Sequence, residues 1–280
     1  MEIPDPVAAR GEVVVRIEAA GVNPIDAKLR SGKRPSPPIT EPRPVGFDGA
    51  GVVEVLGEGV DRFAVGDRVA IRDAHGTYAS ALAIATENLE KLPDAVTMAE
   101  GAAIGIPSGT AYQALRSLGV TEGDVLLVHA GSGAVGQAAV QFAVAWGATV
   151  IATASTARHD QLRELGAIPV AYGDGLLERV REAAPSPVTV VLDGAGTDEA
   201  IETSLALVAD RDRIATIVRG PDAASFGIRA FSGGSPVPLS AEELAWRAEA
   251  LPKTIELLAA GDFTIELGPE LPPRRSGAGP

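Results

Sequence analysis

The 280-residue sequence predicts an α/β protein in which a doubly wound parallel sheet follows a smaller, β-rich, barrel-like domain. Three observations predict it. From Val125 onward, apolar β-branched runs alternate with helical stretches, the spelling of consecutive βαβ units. Before Pro93, short apolar runs alternate instead with glycine turns at intervals of about ten residues. Where the alternating half begins, a strand at Val125 to Val128 runs into Gly131-Ser132-Gly133-Ala134-Val135-Gly136. A small-residue helix to Trp146, a stop at Gly147 and a second strand from Thr149 to Thr153 follow.

A G-x-G-x-x-G set between strand and helix is a dinucleotide-binding pattern, and each glycine has a physical task. Gly131 is expected to permit the tight turn, Gly133 to let the backbone approach a pyrophosphate, and Gly136 to let helix and strand pack closely. The helix N-terminus at Ala134 and Val135 offers unbonded N–H groups and a positive dipole end to the phosphates. A βαβ unit whose glycines serve packing alone stays open as the alternative.

The first half yields strands at Glu12–Ala20, Gly46–Leu56 and Gly76–Ile84, and a Gly66-Asp67 turn with a further strand within Arg62–Ile71, with a loop at 21–26 and a turn at 57–59. Lys33 to Pro44 is proline-rich and reads as an irregular loop. Thr97 is expected to cap a helix from Met98, with Glu100 completing a capping box, and Pro107-Ser108-Gly109 to interrupt it before a second helix over Thr110–Leu118. Beyond the glycine turn come helices at 158–165, 176–184 and 198–208, and strands at 169–172, 188–192 and 213–218. Residues 219–240 are glycine- and proline-rich with a strand at Phe226–Phe231, a helix covers 242–260, and the tail from Pro269 reads as disordered.

Composition excludes several functions. There is no cysteine, and the three histidines, His75, His129 and His159, are unpaired in sequence, so the expectation is no metal site. A net charge of −13 opposes nucleic acid and anionic membrane. The basic stretches Lys28–Arg34 and Arg274-Arg275 lack interleaved aromatics and read as solvated surface. No apolar run is long enough to span a bilayer, and the N-terminus carries no signal pattern, so a cytoplasmic location is expected.

The second strand of the βαβ unit ends in Ala154-Ser155-Thr156-Ala157-Arg158-His159, with no acid before Asp160. NAD-preferring sites place a carboxylate there for the ribose 2′-OH, and a carboxylate would repel a 2′-phosphate. Hydroxyls at Ser155 and Thr156 with the Arg158 guanidinium suit a 2′-phosphate instead, which points to NADP(H). Helix capping by Ser155 and Thr156 beside a solvated Arg158 is the alternative.

Several segments carry a family resemblance: Ala20-Gly21-Val22-Asn23-Pro24-Ile25-Asp26, Val45–Val53 (VGFDGAGVV), Val65-Gly66-Asp67-Arg68-Val69, Gly76-Thr77-Tyr78-Ala79, Gly109-Thr110-Ala111-Tyr112, His129-Ala130 before the glycine turn, Leu165-Gly166-Ala167 and Leu192-Asp193-Gly194-Ala195-Gly196. On these the chain, from residue 3 to about 271, resembles the medium-chain dehydrogenase/reductase superfamily, in its zinc-independent quinone oxidoreductase (zeta-crystallin-like) branch. The resemblance implies a GroES-like barrel domain over 1–107, to which 241–280 partly returns, and a Rossmann-type NADP-binding domain over 108–240. Where zinc-dependent members hold their metal, this chain has Asn23, Phe47 and a residue near Ile106. It also implies Asn23 and Thr110 near the nicotinamide, Phe47 walling the substrate cleft, and Ala134 and Val135 along the pyrophosphate. Ser155, Thr156, Arg158, His159 and Tyr172 would surround the adenosine 2′-phosphate, and Thr216, Ile217 and Val218 would pass the nicotinamide ribose. For the non-glycine residues plainer roles stay open: Asp26 as a helix cap, Tyr78 and Tyr112 as core aromatics, His129 as a buried strand end.

The implied activity is NADPH-dependent hydride transfer to a small electrophile, a quinone or an α,β-unsaturated carbonyl, in a homodimer paired through an edge strand near Phe226. Two rival readings are enoyl reduction on a biosynthetic intermediate and a catalytically silent NADPH-binding protein. The tyrosine that many relatives carry after the R-x-G following Asp26 is absent from Arg30-Ser31-Gly32-Lys33-Arg34-Pro35, which leaves the proton donor unassigned. Against relatives, the strands before Pro4 and the helix and strand beyond Leu271 are expected to be missing.

Overall fold

The computed structural model describes residues 4–33, 43–231, 235 and 237–272. The core of the proline-rich loop (34–42), part of the stretch at 219–240 and the tail with Arg274-Arg275 lie outside the described residues. The chain divides into two units, residues 1–106 with 251–280, and residues 107–250.

The first unit is built on a five-stranded antiparallel sheet in the order β4-β1-β2-β3-β5. These are β1 (Glu12–Gly21), β2 (Asp48–Leu56), β3 (Arg68–Ile71), β4 (Ala81–Ala85) and β5 (Leu89–Lys91). Val13, Val15, Val53, Phe63, Val69, Ile71, Ile84 and Leu89 form one core cluster. A second joins Ala50, Ala70, Leu92, Val96, Ala102 and Ile104 to Leu251 and Ile255. Gly76-Thr77-Tyr78 precedes β4 as a loop rather than opening it, and Tyr78 is 45% exposed, so it is not a core aromatic.

The turn after β1 contains a short helix, α1 (Pro24–Arg30), where the sequence predicts only a loop. Pro24 sits in its first turn, where a missing N–H is no loss, and Asp26 Oδ2 accepts the Asn23 N–H at 2.9 Å. α2 (Met98–Ala103) starts as expected: Thr97 Oγ1 accepts the Glu100 N–H and Glu100 Oε2 accepts the Thr97 N–H. Pro107 does not interrupt the next helix. α3 (Gly105–Ser117) runs through it, again because the proline falls in a first turn.

The second unit carries a six-stranded parallel sheet, in the order β11-β10-β9-β6-β7-β8. Its strands are β6 (Val125–His129), β7 (Thr149–Ala154), β8 (Ile168–Ala171), β9 (Val190–Asp193), β10 (Ile214–Thr216) and β11 (Arg229–Ala230). Between them run α4 (Ala134–Ala145), α5 (His159–Glu164), α6 (Leu176–Ala183), α7 (Asp198–Leu207) and α8 (Gly220–Phe226), and α9 (Ala241–Ala260) follows. All five residues of β6 are buried, as a central strand covered on both faces requires. Order reverses between β6 and β9, the switch point beside which doubly wound sheets bind ligands at the strands' carboxyl ends. Tyr112 is a core aromatic as expected, T-shaped against Phe142 and Trp146, with its hydroxyl donating to Glu249.

One stretch differs from expectation. The strand placed at Phe226–Phe231 shrinks to Arg229–Ala230, because Pro221 opens α8 and Gly227, at φ 67°, ends it in a left-handed cap. Among the described residues no helix is long and apolar enough to cross a membrane.

Candidate functional site

At the carboxyl end of β6 the three glycines have separate reasons. A Cβ on Gly131 would lie 2.6 Å from the Ala152 Cβ, and one on Gly136 2.4 Å from the Ala130 oxygen. Both positions are closed by the protein's own packing. Gly133 is exposed, and a Cβ there would meet only the Ala130 oxygen at an ordinary 3.5 Å. Nothing in the fold demands glycine at 133, so its missing side chain leaves open the approach to the first turn of α4, where Ala134 is exposed and Val135 half-buried. No side chain caps that helix and its first turn holds no acid, so its first N–H groups have no side-chain acceptor among the described residues. The tight turn belongs to none of the glycines: the left-handed residue is Ala130, at φ 59°.

His129, expected as a buried strand end, is 1% exposed and pairs in register with Asp193 across the switch point. Burial pushes its imidazole down to about 4, against the raising pull of the Asp193 charge. Its Nε2 has no hydrogen-bond partner among the described residues. Unfolded, the ring takes up a proton near its ordinary 6.5 that the folded chain refuses down to about 4. The folded state therefore keeps this contribution in full above the unfolded value and loses it as the pH falls toward the folded one. Melting curves of the wild type should drop more steeply between these two pH values than those of His129→Gln; parallel curves would show that the buried ring does not govern acid stability.

Asp193 accepts the N–H groups of Ala195 and Gly196 on Oδ1 and the Thr216 hydroxyl on Oδ2, at 2.7 Å. Thr216 Oγ1 in turn accepts the N–H groups of Val218 and Arg219. The Thr216 side chain is thus spent on shaping the turn, and Ile217, half-buried, and Val218, 37% exposed, are what that turn presents.

Ala154 and Ala171 are register partners, so Ser155 and Tyr172, which follow them, leave adjacent strands side by side. Ser155 is half-buried, Thr156 exposed, and Arg158 and His159 half-buried; neither Ser155 nor Arg158 caps the following turns with its side chain. The next acid in sequence, Asp160, pairs with Arg163. Tyr172 is 62% exposed on a loop that Arg179, unnoticed in the sequence, fixes by donating to the carbonyls of Ala171, Gly173 and Asp174. A depression of about 400 Å³ is lined by His159, Pro169, Val170, Ala171, Arg179, Glu182 and Ala183, and includes none of the glycine turn. Thr110, 5% exposed, lies on α3 in this second unit.

In the first unit Asn23 is 7% exposed and its Nδ2 donates to Asp48 Oδ2 at 2.9 Å, which also accepts the Ile106 N–H at 2.8 Å. Phe47 is half-buried and T-shaped against the His75 ring, and at this place the contact to Asn23 comes from its neighbour Asp48. Asp26 Oδ2 also accepts the Tyr78 hydroxyl at 3.0 Å; burial first, and then this bond, raise that phenol above its ordinary range. A Cβ on Gly105 would stand 2.3 Å from Asp48 Oδ1. Helix propensity alone favours alanine by up to about 1 kcal/mol. Overlap with the buried carboxylate reverses the sign, and Gly105→Ala is expected to destabilise by about 2 kcal/mol or more. An unchanged melting temperature would rule out that tight packing.

Family comparisons agree with this architecture. Residues 9–116 match the alcohol dehydrogenase GroES-like domain and residues 134–233 the zinc-binding dehydrogenase domain. A quinone oxidoreductase from Pseudomonas syringae pv. tomato superposes with a TM-score of 0.77 at 31% identity, over 95% of this chain and 85% of that one. This chain belongs to the medium-chain dehydrogenase/reductase superfamily, in its zinc-independent quinone oxidoreductase branch. The two units are accordingly its GroES-like and Rossmann domains. The Escherichia coli quinone oxidoreductase complexed with NADPH, another member, superposes with a TM-score of 0.78 at 28% identity, over 96% of this chain and 86% of that one. The pig quinone oxidoreductase is 41% identical over 153 residues, 54% of this chain and 46% of the relative, so the match spans about half of that curated relative. One domain description names zinc, yet the chain has no cysteine, and among the described residues no three His, Asp or Glu side chains are grouped to hold a metal ion.

Proposed function

We propose that this chain is an NADPH-dependent oxidoreductase that delivers hydride to a quinone or an α,β-unsaturated carbonyl. The observation that carries the cofactor reading is Gly133, an exposed glycine that the fold itself does not need, at the uncapped start of a twelve-residue helix. Its open backbone suits a pyrophosphate, with the N–H groups at Ala134 and Val135 as donors. Ser155, Thr156 and Arg158 offer hydroxyls and a cation to a 2′-phosphate in a stretch whose sequence holds no acid before Asp160, and the exposed Tyr172 ring can cover the adenosine. Ile217 and Val218, aimed by the Asp193–Thr216 pair, supply backbone to the nicotinamide ribose. When bound, NADPH supplies the hydride. Asn23, Phe47 and Thr110 are the candidates for the reacting end. Support for the acceptor class comes from the relatives' names.

The test follows NADPH and NADH consumption with a panel of quinones and enones, beside direct cofactor binding. Turnover with NADPH preferred is the expected result. Tight NADPH binding without turnover on any acceptor would leave a silent cofactor-binding protein, and a preference for NADH would overturn the reading of Arg158. β11 lies at the edge of its sheet, and pairing of two copies through it belongs to the same proposal; a monomer in sedimentation removes that part.

A further inference from the structure

The strained point of the glycine turn is Ala130, whose φ of 59° is a conformation that L-residues other than Asn and Asp seldom adopt. Its methyl group is not idle. It lies 3.8 Å from where a Cβ on Gly194 would stand, just past the end of β9. The left-handed geometry must then be held from outside, and one residue of the neighbouring strand does so twice. Thr153 Oγ1 accepts the Ala130 N–H at 3.2 Å, and the Thr153 carbonyl accepts the Gly131 N–H at 2.9 Å. Thr153 is 2% exposed, and its hydroxyl lies 3.4 Å from His129 Nδ1.

Ala130 transmits this grip to the helix. Its carbonyl accepts the Gly133 N–H at 3.1 Å, and Gly133 is the N-cap of α4. The direction of that carbonyl follows from the backbone angles of Ala130, so the hydroxyl on β7 sets where the N-terminus of α4 begins. We propose that Thr153 is a positioning residue for the dinucleotide: its hydroxyl locks Ala130 in the left-handed conformation and presets the phosphate-facing turn before any ligand arrives. The inference rests on the NADPH reading and deepens it.

The test measures NADPH dissociation constants by nicotinamide fluorescence for the wild type, Thr153→Val and Thr153→Ser. Valine keeps the branched shape and removes the hydroxyl; serine keeps the hydroxyl. Thr153→Val should weaken NADPH about tenfold, while Thr153→Ser stays within about threefold of the wild type. A merely structural role would lower the melting temperature of the valine variant and leave the folded protein's affinity unchanged, and that result overturns the proposal. Should Thr153→Val not fold, amide exchange in the ligand-free wild type decides: a protected Ala130 N–H supports the preset turn, and one that exchanges as freely as an exposed loop overturns it. A wild type that does not bind NADPH takes down the cofactor reading instead, a distinguishable outcome.

Discussion

Gly133→Ser is expected to keep the melting temperature, or raise it slightly, while abolishing most dinucleotide affinity. The backbone at Gly133, φ −77° and ψ 163°, is open to any L-residue, and serine there could supply the side-chain cap that α4 lacks. Serine at such a position is worth a few tenths of a kcal/mol over glycine. The same side chain would occupy the approach to the N–H groups of Ala134 and Val135 and use one of them. Losing charge-assisted bonds to phosphate at about 1.5–3 kcal/mol each corresponds to a roughly 100-fold loss of NADPH affinity. Opposite signs in one variant separate a binding glycine from a packing glycine. Gly136→Ala is the control, since its Cβ would overlap the Ala130 oxygen and the Gly131 backbone and should harm stability and binding together. If Gly133→Ser binds NADPH as the wild type does, the open backbone at Gly133 is not where the pyrophosphate approaches, and the placement of the cofactor on this turn fails.

Arg158→Glu should weaken NADPH by about 100-fold and NADH by less than about threefold. The substitution replaces a cation with a carboxylate at the end of β7, where the strand's own sequence places only small residues and hydroxyls. A 2′-phosphate meets that change directly, whereas a 2′-hydroxyl can hydrogen-bond to either group. Titration of both nucleotides against the two proteins checks it, and equal losses would make Arg158 a structural residue.

Patterns that repeat locally were legible in the sequence. The glycine spacing, the buried runs of β6 and β7 and the Thr97–Glu100 box each rest on residues a few positions apart, and each formed where expected. The glycine- and proline-rich stretch from 219 hides α8, because the Pro221 start and Gly227 stop of a seven-residue helix look the same as a turn, and the strand expected from Phe226 begins only after that stop. Pro107 misled in the same way: a proline that breaks a helix interior is welcome in its first turn. Ala130 had no signal, since nothing in its identity marks a left-handed backbone imposed by a hydroxyl 23 residues away. Asp48 was hidden for a related reason. Its partners Asn23 and Ile106 lie 25 and 58 residues off, so the family resemblance reached the neighbourhood and named Phe47, one residue from the side chain that makes the contact.

The first unit is assembled from two stretches of chain, and one of its two core clusters needs Leu251 and Ile255 beside Ala50, Ala70 and Leu92. During synthesis those early strands therefore wait for residues that follow the whole of the second unit. From Ile106 to Leu251 is 145 positions (251 − 106), or about 7–30 s at ordinary elongation rates. The Rossmann unit, continuous in sequence, has all its strands in hand before the GroES-like unit can close. The order of completion runs against the order of the sequence: the last strand of the nucleotide module leaves the ribosome before the β-rich module has the residues that finish its second core cluster.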